Sequence, residues 1–276
     1  MAKILVIICA KNEEKSLGKC LKSLVSQSHK PERVIVVDDC SSDRTKEIAF
    51  EFASKNKMIE VVVLGKGRGG VFGCWISGVF NNGLKAINLD SFDYLSKIDA
   101  DIILYPNYFE EIMNRFMNDK ELGISGGIII NEPTREVCGG NMVISIPCWK
   151  LISDRGMMPF VGAEDTYLIA KARMNKFKSE ITPSAKSFTT RPYKALSFKK
   201  KMQKQVNYGK LMYSFGYHPL YFAGRVIKMS IKNSPYLLTP ILALFGWLIA
   251  WMGEKPYEKD LRNYIRTTQR QRFEKL

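Results

Sequence analysis

The chain has 276 residues, 46% hydrophobic and 25% charged, close to the average of a folded protein and enough for one large domain or two small ones. These proportions exclude a disordered, collagen-like or low-complexity chain. Its 42 basic and 27 acidic residues leave a net charge of +15, which points to a polyanionic surface or ligand.

The excess charge is not evenly spread. Residues 1–185 hold 24 Lys and Arg against 23 Asp and Glu, whereas residues 186–276 hold 18 against 4. The sequence therefore divides into a balanced body, 1–185, and a basic tail region, 186–276. The six cysteines (Cys9, Cys20, Cys40, Cys74, Cys138, Cys148) form no CxxC pair and no zinc-ligand spacing, and only two histidines accompany them. They are expected to be buried free thiols in a reducing compartment. The apolar N-terminal run passes directly into Lys11-Asn12-Glu13-Glu14 and reads as a buried first strand rather than a signal peptide, which predicts a cytoplasmic body.

Along the body, strands and helices alternate. Ile4–Ala10 is an apolar run of strand length, and Leu17–Val25 places Leu17, Leu21, Leu24 and Val25 on one helical face. Arg33–Val37 is a β-branched run ending at Asp38-Asp39, Ser41-Ser42-Asp43 offers a helix start for Thr45–Ser54, and Ile59–Leu64 is a third strand. This βαβαβ order predicts a mainly parallel sheet with helices on both faces. Ligands of such sheets gather at the carboxyl ends of the strands, where Ala10–Glu13 and Asp38–Asp43 fall.

Tyr94–Ile98 is the next strand candidate and ends in Asp99-Ala100-Asp101. Two carboxylates one residue apart at a strand end can reach one point, as a divalent cation bridging two phosphates requires. Taken alone, Asp-x-Asp is more often turn or capping chemistry, because aspartate is favoured in both roles. A helix over Tyr108–Asn118, a strand near Gly123–Ile130, and the segments Met142–Ile146 and Trp149–Ser153 follow. Glu164-Asp165 then opens an amphipathic helix through Met174, where Asp165 can cap the helix and Glu164 lies near its positive end.

Taken together, Ala10-Lys11-Asn12-Glu13, Val36-Val37-Asp38-Asp39-Cys40-Ser41-Ser42-Asp43 and Lys97-Ile98-Asp99-Ala100-Asp101 resemble the family 2 nucleotide-sugar glycosyltransferases across roughly residues 1–185. The resemblance implies a GT-A fold, a nucleoside-diphosphate sugar donor, Mn²⁺ or Mg²⁺, and inversion at the anomeric carbon. On this reading Ala10, Asn12 and Glu13 line the nucleotide pocket, and Asp39 and Asp38 bind the base or ribose. Asp101 is the metal ligand, with Asp99 facing the ribose or joining it on the metal side. Glu164-Asp165 matches the family's acidic motif, with Asp165 as the base that takes the acceptor's proton and Glu164 in support. In Gly65-Lys66-Gly67-Arg68-Gly69-Gly70, Arg68 or Lys66 is expected to contact the donor. Relatives continue with an asparagine where this chain has Phe72-Gly73-Cys74-Trp75, and a surface loop is the alternative.

Past residue 185, Lys194–Lys210 and the following residues mix lysines with aromatics, a pattern that suits nucleic acid or an anionic bilayer. The uncharged segment 236–252 decides for lipid. Seventeen residues rise about 25 Å as a helix, short of the roughly 30 Å hydrocarbon core, which favours a re-entrant or interfacial hairpin over a full span. A core helix of the body is the alternative. Leu261–Phe273 reads as a cationic amphipathic helix worth about 1 kcal/mol per cation at an anionic leaflet.

The expectation is therefore an α/β protein: a GT-A body, Rossmann-like with a mainly parallel central sheet, followed by a basic, partly apolar helical region that associates with membrane. The implied acceptor is lipid-linked, polyprenyl in type, at the cytoplasmic face of the cell membrane; a soluble saccharide acceptor is the alternative. Two rivals differ in class. A sugar-nucleotide nucleotidyltransferase carries a glycine-rich phosphate loop directly after its first strand, and Ala10-Lys11-Asn12-Glu13 has no glycine. A noncatalytic membrane or nucleic-acid binding protein would bind without turnover.

Overall fold

The computed structural model describes residues 1–66, 74–85, 87–230, 238–253 and 256–273. Its first strand, β1 (Ile4–Ala10), is buried along its whole length. Period-2 alternation sends its residues to opposite faces. Ile4, Val6 and Ile8 enter one core with helices α1 (Leu17–Val25) and α4 (Tyr108–Asn118). Leu5, Ile7 and Cys9 enter a second core with α3 (Cys74–Leu84), α5 (Ile146–Ile152) and α6 (Glu164–Met174). A strand buried on both faces must be apolar throughout, which is why β1 reads as a continuous run.

β1 pairs in parallel with β2 (Arg33–Asp38) and β4 (Tyr94–Ile98), and β2 pairs in parallel with β3 (Ile59–Val63). Helix α2 (Thr45–Lys55) connects β2 to β3. The remaining strands are β5 (Ile102–Leu104), β6 (Leu122–Ile129), β7 (Asn141–Ser145) and β8 (Lys178–Thr189). All eight form one sheet in the order β3-β2-β1-β4-β7-β6-β8-β5.

The expectation of a mainly parallel sheet needs correction, because the sheet is mixed. β7 runs antiparallel to both β4 and β6, and β5 runs antiparallel to β8. The parallel half comes from helical crossovers. β7 returns after β6 through the segment 130–140, with no crossover helix to reverse its direction. β8 continues to Thr189, so the boundary expected at 185 falls inside a strand. The chain divides instead into Met1–Pro192 and Tyr193–Leu276.

The second unit contains α7 (Phe198–Ser214), α8 (Pro219–Ser230), α9 (Leu238–Gly253) and α10 (Lys259–Phe273). α7 and α9 cross through glycine: a Cβ on Gly209 would collide with the Ala243 carbonyl, and one on Gly246 with that of Val206. The small residues Thr239, Ala243, Gly246 and Ala250 form the buried side of α9. Ile241, Phe245, Leu248 and Trp251 are exposed on its other side. No helix among the described residues is long and apolar enough to cross a membrane.

Among the cysteines, Cys9, Cys20 and Cys148 are buried and Cys138 partly so. Cys40 departs from the expectation. It is exposed, because it sits in the turn after β2 at φ 53°.

The tightest backbone approach in the sheet is at Gly127 in β6. A Cβ there would collide with the Ala185 carbonyl and the Tyr108 ring, while the Gly127 N–H donates to Tyr108 Oη at 2.9 Å. Gly127→Ala is expected to lower the unfolding free energy by about 1–3 kcal/mol, the range for overpacking, read from the midpoint of a urea titration.

Candidate active site

Because β1, β2 and β4 are parallel, their carboxyl ends share one edge, where Ala10–Glu13, Asp38-Asp39 and Asp99–Asp101 lie. The first two groups are stitched together. The Asp39 N–H donates to the Ala10 carbonyl at 2.9 Å, the Asn12 N–H to Ser41 Oγ at 3.0 Å, and the Ser42 N–H to Asn12 Oδ1 at 2.9 Å. Asn12 and Cys40 hold positive φ, 56° and 53°. Such conformations carry a small strain in non-glycine residues and concentrate at functional edges.

The two aspartates at the end of β2 are both covered. Asp38 accepts from the Ser41 N–H at 3.3 Å through Oδ2, while its buried Oδ1 has no hydrogen-bond partner among the described residues. Asp39 accepts from Lys11 Nζ at 2.9 Å and from the Trp75 indole N–H at 2.6 Å. Its carboxylate lies behind Lys11 and Trp75. The orphaned Asp38 oxygen is the more conspicuous unfilled acceptor, since buried polar atoms are ordinarily paired.

Asp99 follows β4, and the antiparallel pairing of β4 with β7 sets Ile98 opposite Asn141. That register brings Gly139 and Gly140 against the acidic groups. The Asp99 N–H donates to the Gly140 carbonyl at 2.9 Å, and a Cβ on Gly140 would lie 2.8 Å from Asp99 Oδ2. A Cβ on Gly139 would lie 2.9 Å from Asp165 Cβ. The absence of side chains at Gly139 and Gly140 lets this loop pass close to Asp165 and Asp99.

Glu164 and Asp165 open α6. The capping position is Ala163, in the left-handed conformation at φ 51°, so Asp165 is not the helix cap expected from sequence. The left-handed turn has already redirected the chain, which leaves Asp165 within the first helical turn. Its Oδ1 accepts from the Thr166 N–H at 2.6 Å, and its Oδ2 from the Gly139 N–H at 3.2 Å.

The sequence reading missed the residue that joins these groups. Lys97, inside β4, places Nζ 2.7 Å from Asp99 Oδ1, 3.0 Å from the Gly139 carbonyl and 3.5 Å from Glu164 Oε1. Burial alone would lower the pKa of its ammonium, but the Asp99 and Glu164 carboxylates outweigh burial and raise it above the ordinary lysine value. Lys97 is therefore charged at neutral pH. For Glu164, burial raises the carboxyl pKa and Lys97 opposes the rise. Burial also pushes the Cys138 thiol up to about 11, so it stands beside the acidic pair as a neutral group. The signal for Lys97 was present: a lysine inside a two-sided buried strand demands a partner.

Asp101 is the other carboxylate at this edge. It is 15% exposed, and its Oδ2 accepts from Arg191 Nε at 3.2 Å and from Thr189 Oγ1 at 3.4 Å. Arg191 Nη2 also pairs with Glu13 Oε1. Glu13 Oε2 accepts from Ser16 Oγ at 2.7 Å, and the Glu13 N–H donates to Thr45 Oγ1 at 2.6 Å. Arg191 had been counted with the basic tail. Lys66 is exposed, and Arg68 lies outside the described residues.

Asp101 and Asp99 are hard oxygen donors one residue apart at a strand end, and this donor set fits Mn²⁺ or Mg²⁺. Such ions take one or two carboxylates and draw their other ligands from phosphate and water. Among the described residues, no three His, Cys, Asp or Glu side chains converge to hold an ion by themselves. A separate cavity of about 430 Å³ lies at the opposite end of β4, beside Tyr94 and Ser145, away from these carboxylates.

Residues 5–181 match the sequence profile of glycosyl transferase family 2, and the chain belongs to that family. One similar relative is a 4,4'-diaponeurosporenoate glycosyltransferase of Staphylococcus haemolyticus, 60% identical over 52 residues, covering 19% of this chain and 14% of the relative. The chain thus matches only a small part of that relative's length. Among solved structures, the mannosyltransferase PcManGT from Pyrobaculum calidifontis, in complex with GDP-Man and Mn²⁺, superposes with a TM-score of 0.59 at 15% identity, covering 98% of this chain and 84% of that one. S. aureus TarS 1-349 in complex with UDP-GlcNAc gives a TM-score of 0.54 at 17% identity, covering 90% of this chain and 81% of that one. At these identities the superpositions establish a shared GT-A-type fold.

Lys97→Met leaves Glu164 buried without its nearest cation. Removing one partner of a buried pair costs about 3–5 kcal/mol, and the 41% exposure of the Asp99 side chain sets the expected loss at the low end. Because the folded-state pKa of Lys97 is raised, its contribution is complete below the ordinary value of 10.5 and is lost only as pH rises through the folded-state pKa. The stability difference between wild type and Lys97→Met is therefore expected to be flat from pH 7 to about 10 and to shrink only above 10.5, measured by urea unfolding at each pH.

Proposed function

We propose that the chain is a metal-dependent, inverting glycosyltransferase that moves a sugar from a nucleoside-diphosphate sugar to a lipid-linked acceptor at an anionic membrane surface, in polysaccharide or glycan biosynthesis. The observation that carries the catalytic part is the convergence at one sheet edge: Asp99 and Glu164 meet on Lys97, and Gly139-Gly140 place Asp165 beside them.

Each group has a role that its surroundings suit. Ala10, Asn12 and Glu13, with Asp38 and Asp39, border the nucleotide, and the orphaned Asp38 oxygen offers an acceptor for a base or ribose donor. Asp101, with Asp99, would hold the divalent cation, which when bound neutralises charge developing on the diphosphate. Asp165 takes the proton of the acceptor hydroxyl as that oxygen bonds to the anomeric carbon and the bond from that carbon to the diphosphate oxygen breaks. The backbone N–H groups of Gly139 and Thr166 fix the direction of its carboxylate. Glu164 orients the acceptor, and Lys97 keeps the carboxylates from repelling one another. GDP-Man and UDP-GlcNAc in the two superposed structures support a nucleotide-sugar donor, and the Mn²⁺ in the first supports a divalent cation.

The membrane part rests on the second unit. Ile241, Phe245, Leu248 and Trp251 fall at spacings of three and four residues on the exposed side of α9, an apolar face about 15 Å long at helical rise. Residues 193–276 carry 16 Lys and Arg against 4 Asp and Glu. A second copy of so basic a unit is a poor cover for this face, whereas an anionic bilayer satisfies both apolar surface and charge. α9 then lies in the interface, which its length favours over a span. The proposed nucleotide-sugar donor and the free thiols support the cytoplasmic leaflet.

Asp101→Ala is expected to abolish metal-dependent donor turnover. Asp165→Asn should lower kcat by about 10²–10⁴-fold, the scale of a lost general base, while nucleotide affinity is retained in a titration. Unchanged transfer in Asp165→Asn would remove Asp165 as the base. The double variant Leu248→Glu/Trp251→Glu is expected to release the chain from phosphatidylglycerol vesicles in flotation; retention, or a dimer that dissociates instead, would refute the bilayer.

A further inference from the structure

Arg191 reaches the acidic edge through backbone register. The β5–β8 pairing sets Ile102 opposite Thr189, the Thr190 N–H donates to the Asp101 carbonyl at 2.9 Å, and the Arg191 N–H donates to Thr189 Oγ1 at 3.1 Å. The guanidinium is thereby delivered to Asp101 and Glu13 together. Its side chain is 56% exposed, whereas those of Glu13 and Asp101 are 10% and 15% exposed. One accessible cation thus caps two nearly covered carboxylates, and one of these is the candidate metal ligand.

A guanidinium and a divalent cation on the same carboxylate repel each other and compete for the same lone pairs. A diphosphate offers the planar guanidinium a pair of oxygens for bidentate bonding and a higher charge than a single carboxylate. Building on the function proposed above, we propose that Arg191 is an exchange cation. It occupies Asp101 and Glu13 while the donor is absent, and passes to the donor's diphosphate oxygens when the divalent cation takes Asp101. No covalent bond changes, and each cation finds an anionic partner in both states. Metal alone must displace Arg191 without finding it a new partner, and so binds weakly. Metal with nucleotide reuses the displaced guanidinium, and so binds well.

The test measures Mn²⁺ binding to the full chain by the electron paramagnetic resonance signal of the free ion, alone and with UDP or GDP. Arg191→Ala is expected to bind Mn²⁺ alone about fivefold more tightly than wild type, the scale of one unit-charge interaction at a hydrated site. The same variant should bind the nucleoside diphosphate in saturating Mn²⁺ about fivefold more weakly. Arg191→Lys, which keeps the charge but loses the fork, should fall between wild type and Arg191→Ala on both measures. Opposite signs are the signature of exchange. Two affinities that move together, or neither moving, in a variant with the wild-type unfolding midpoint, overturn it. Should Arg191→Ala lose that midpoint, Arg191→Lys decides by the same criterion. Wild type that binds neither Mn²⁺ nor a nucleoside diphosphate would sink the proposed function as well; wild type that binds both, with unmoved variants, sinks the exchange alone.

Discussion

A single buried ammonium allows an acidic edge to exist here. Lys97 Nζ touches the Asp99 carboxylate, the Gly139 carbonyl and the Glu164 carboxylate from a side chain that is 6% exposed. Without that cation, Asp99 and the Glu164-Asp165 pair would meet as like charges in a poorly hydrated place. One carboxyl would then have to take up a proton or the elements carrying them would separate. The ammonium also bonds the glycine turn and so sets how closely the loop approaches both aspartates.

The sheet supplies the geometry that the lysine then holds. Its parallel half, β3-β2-β1-β4, aligns three strand ends in the manner of open α/β folds. Its mixed half does different work: antiparallel β7 returns Gly139-Gly140 alongside Asp99, and β8, paired with β5, ends beside Asp101. Reversing either pairing would carry its loop to the opposite edge. The departure from a parallel sheet is therefore what completes the acidic edge on the side of β4 away from β1.

Much of this was legible because the signals were local. The apolar run of β1 and the abrupt stop of β2 at Asp38 follow from burial on two faces, and residue spacing alone located α1. The helix expected to be amphipathic, α6, instead buries Tyr167, Leu168, Ile169 and Ala170 in succession. The partners were not local. Lys97 stands 67 residues from Glu164 in the numbering, and only the β4–β7 register shows why the two meet. Arg191 was misread for an instructive reason: a charge count divided at 185 assigns it to the basic tail, whereas β8 carries it into the first unit. Ala163 gave no sequence signal of a left-handed cap, because alanine rarely adopts that conformation. In the second unit, the uncharged segment was visible, but its division into a small-residue face against α7 and a bulky exposed face depends on the Gly209–Gly246 crossing.

The central claim is that these converging carboxylates form one site for a nucleoside diphosphate and a divalent cation. A ligand that binds only the folded state raises its stability by mass action, about 2.7 kcal/mol at a hundred times Kd. The unfolding midpoint of the full chain, followed by scanning calorimetry, should rise with UDP or GDP together with Mn²⁺, and far less with either component alone. A midpoint unmoved by every such combination, or moved equally by nucleotide with the metal chelated, would contradict the account.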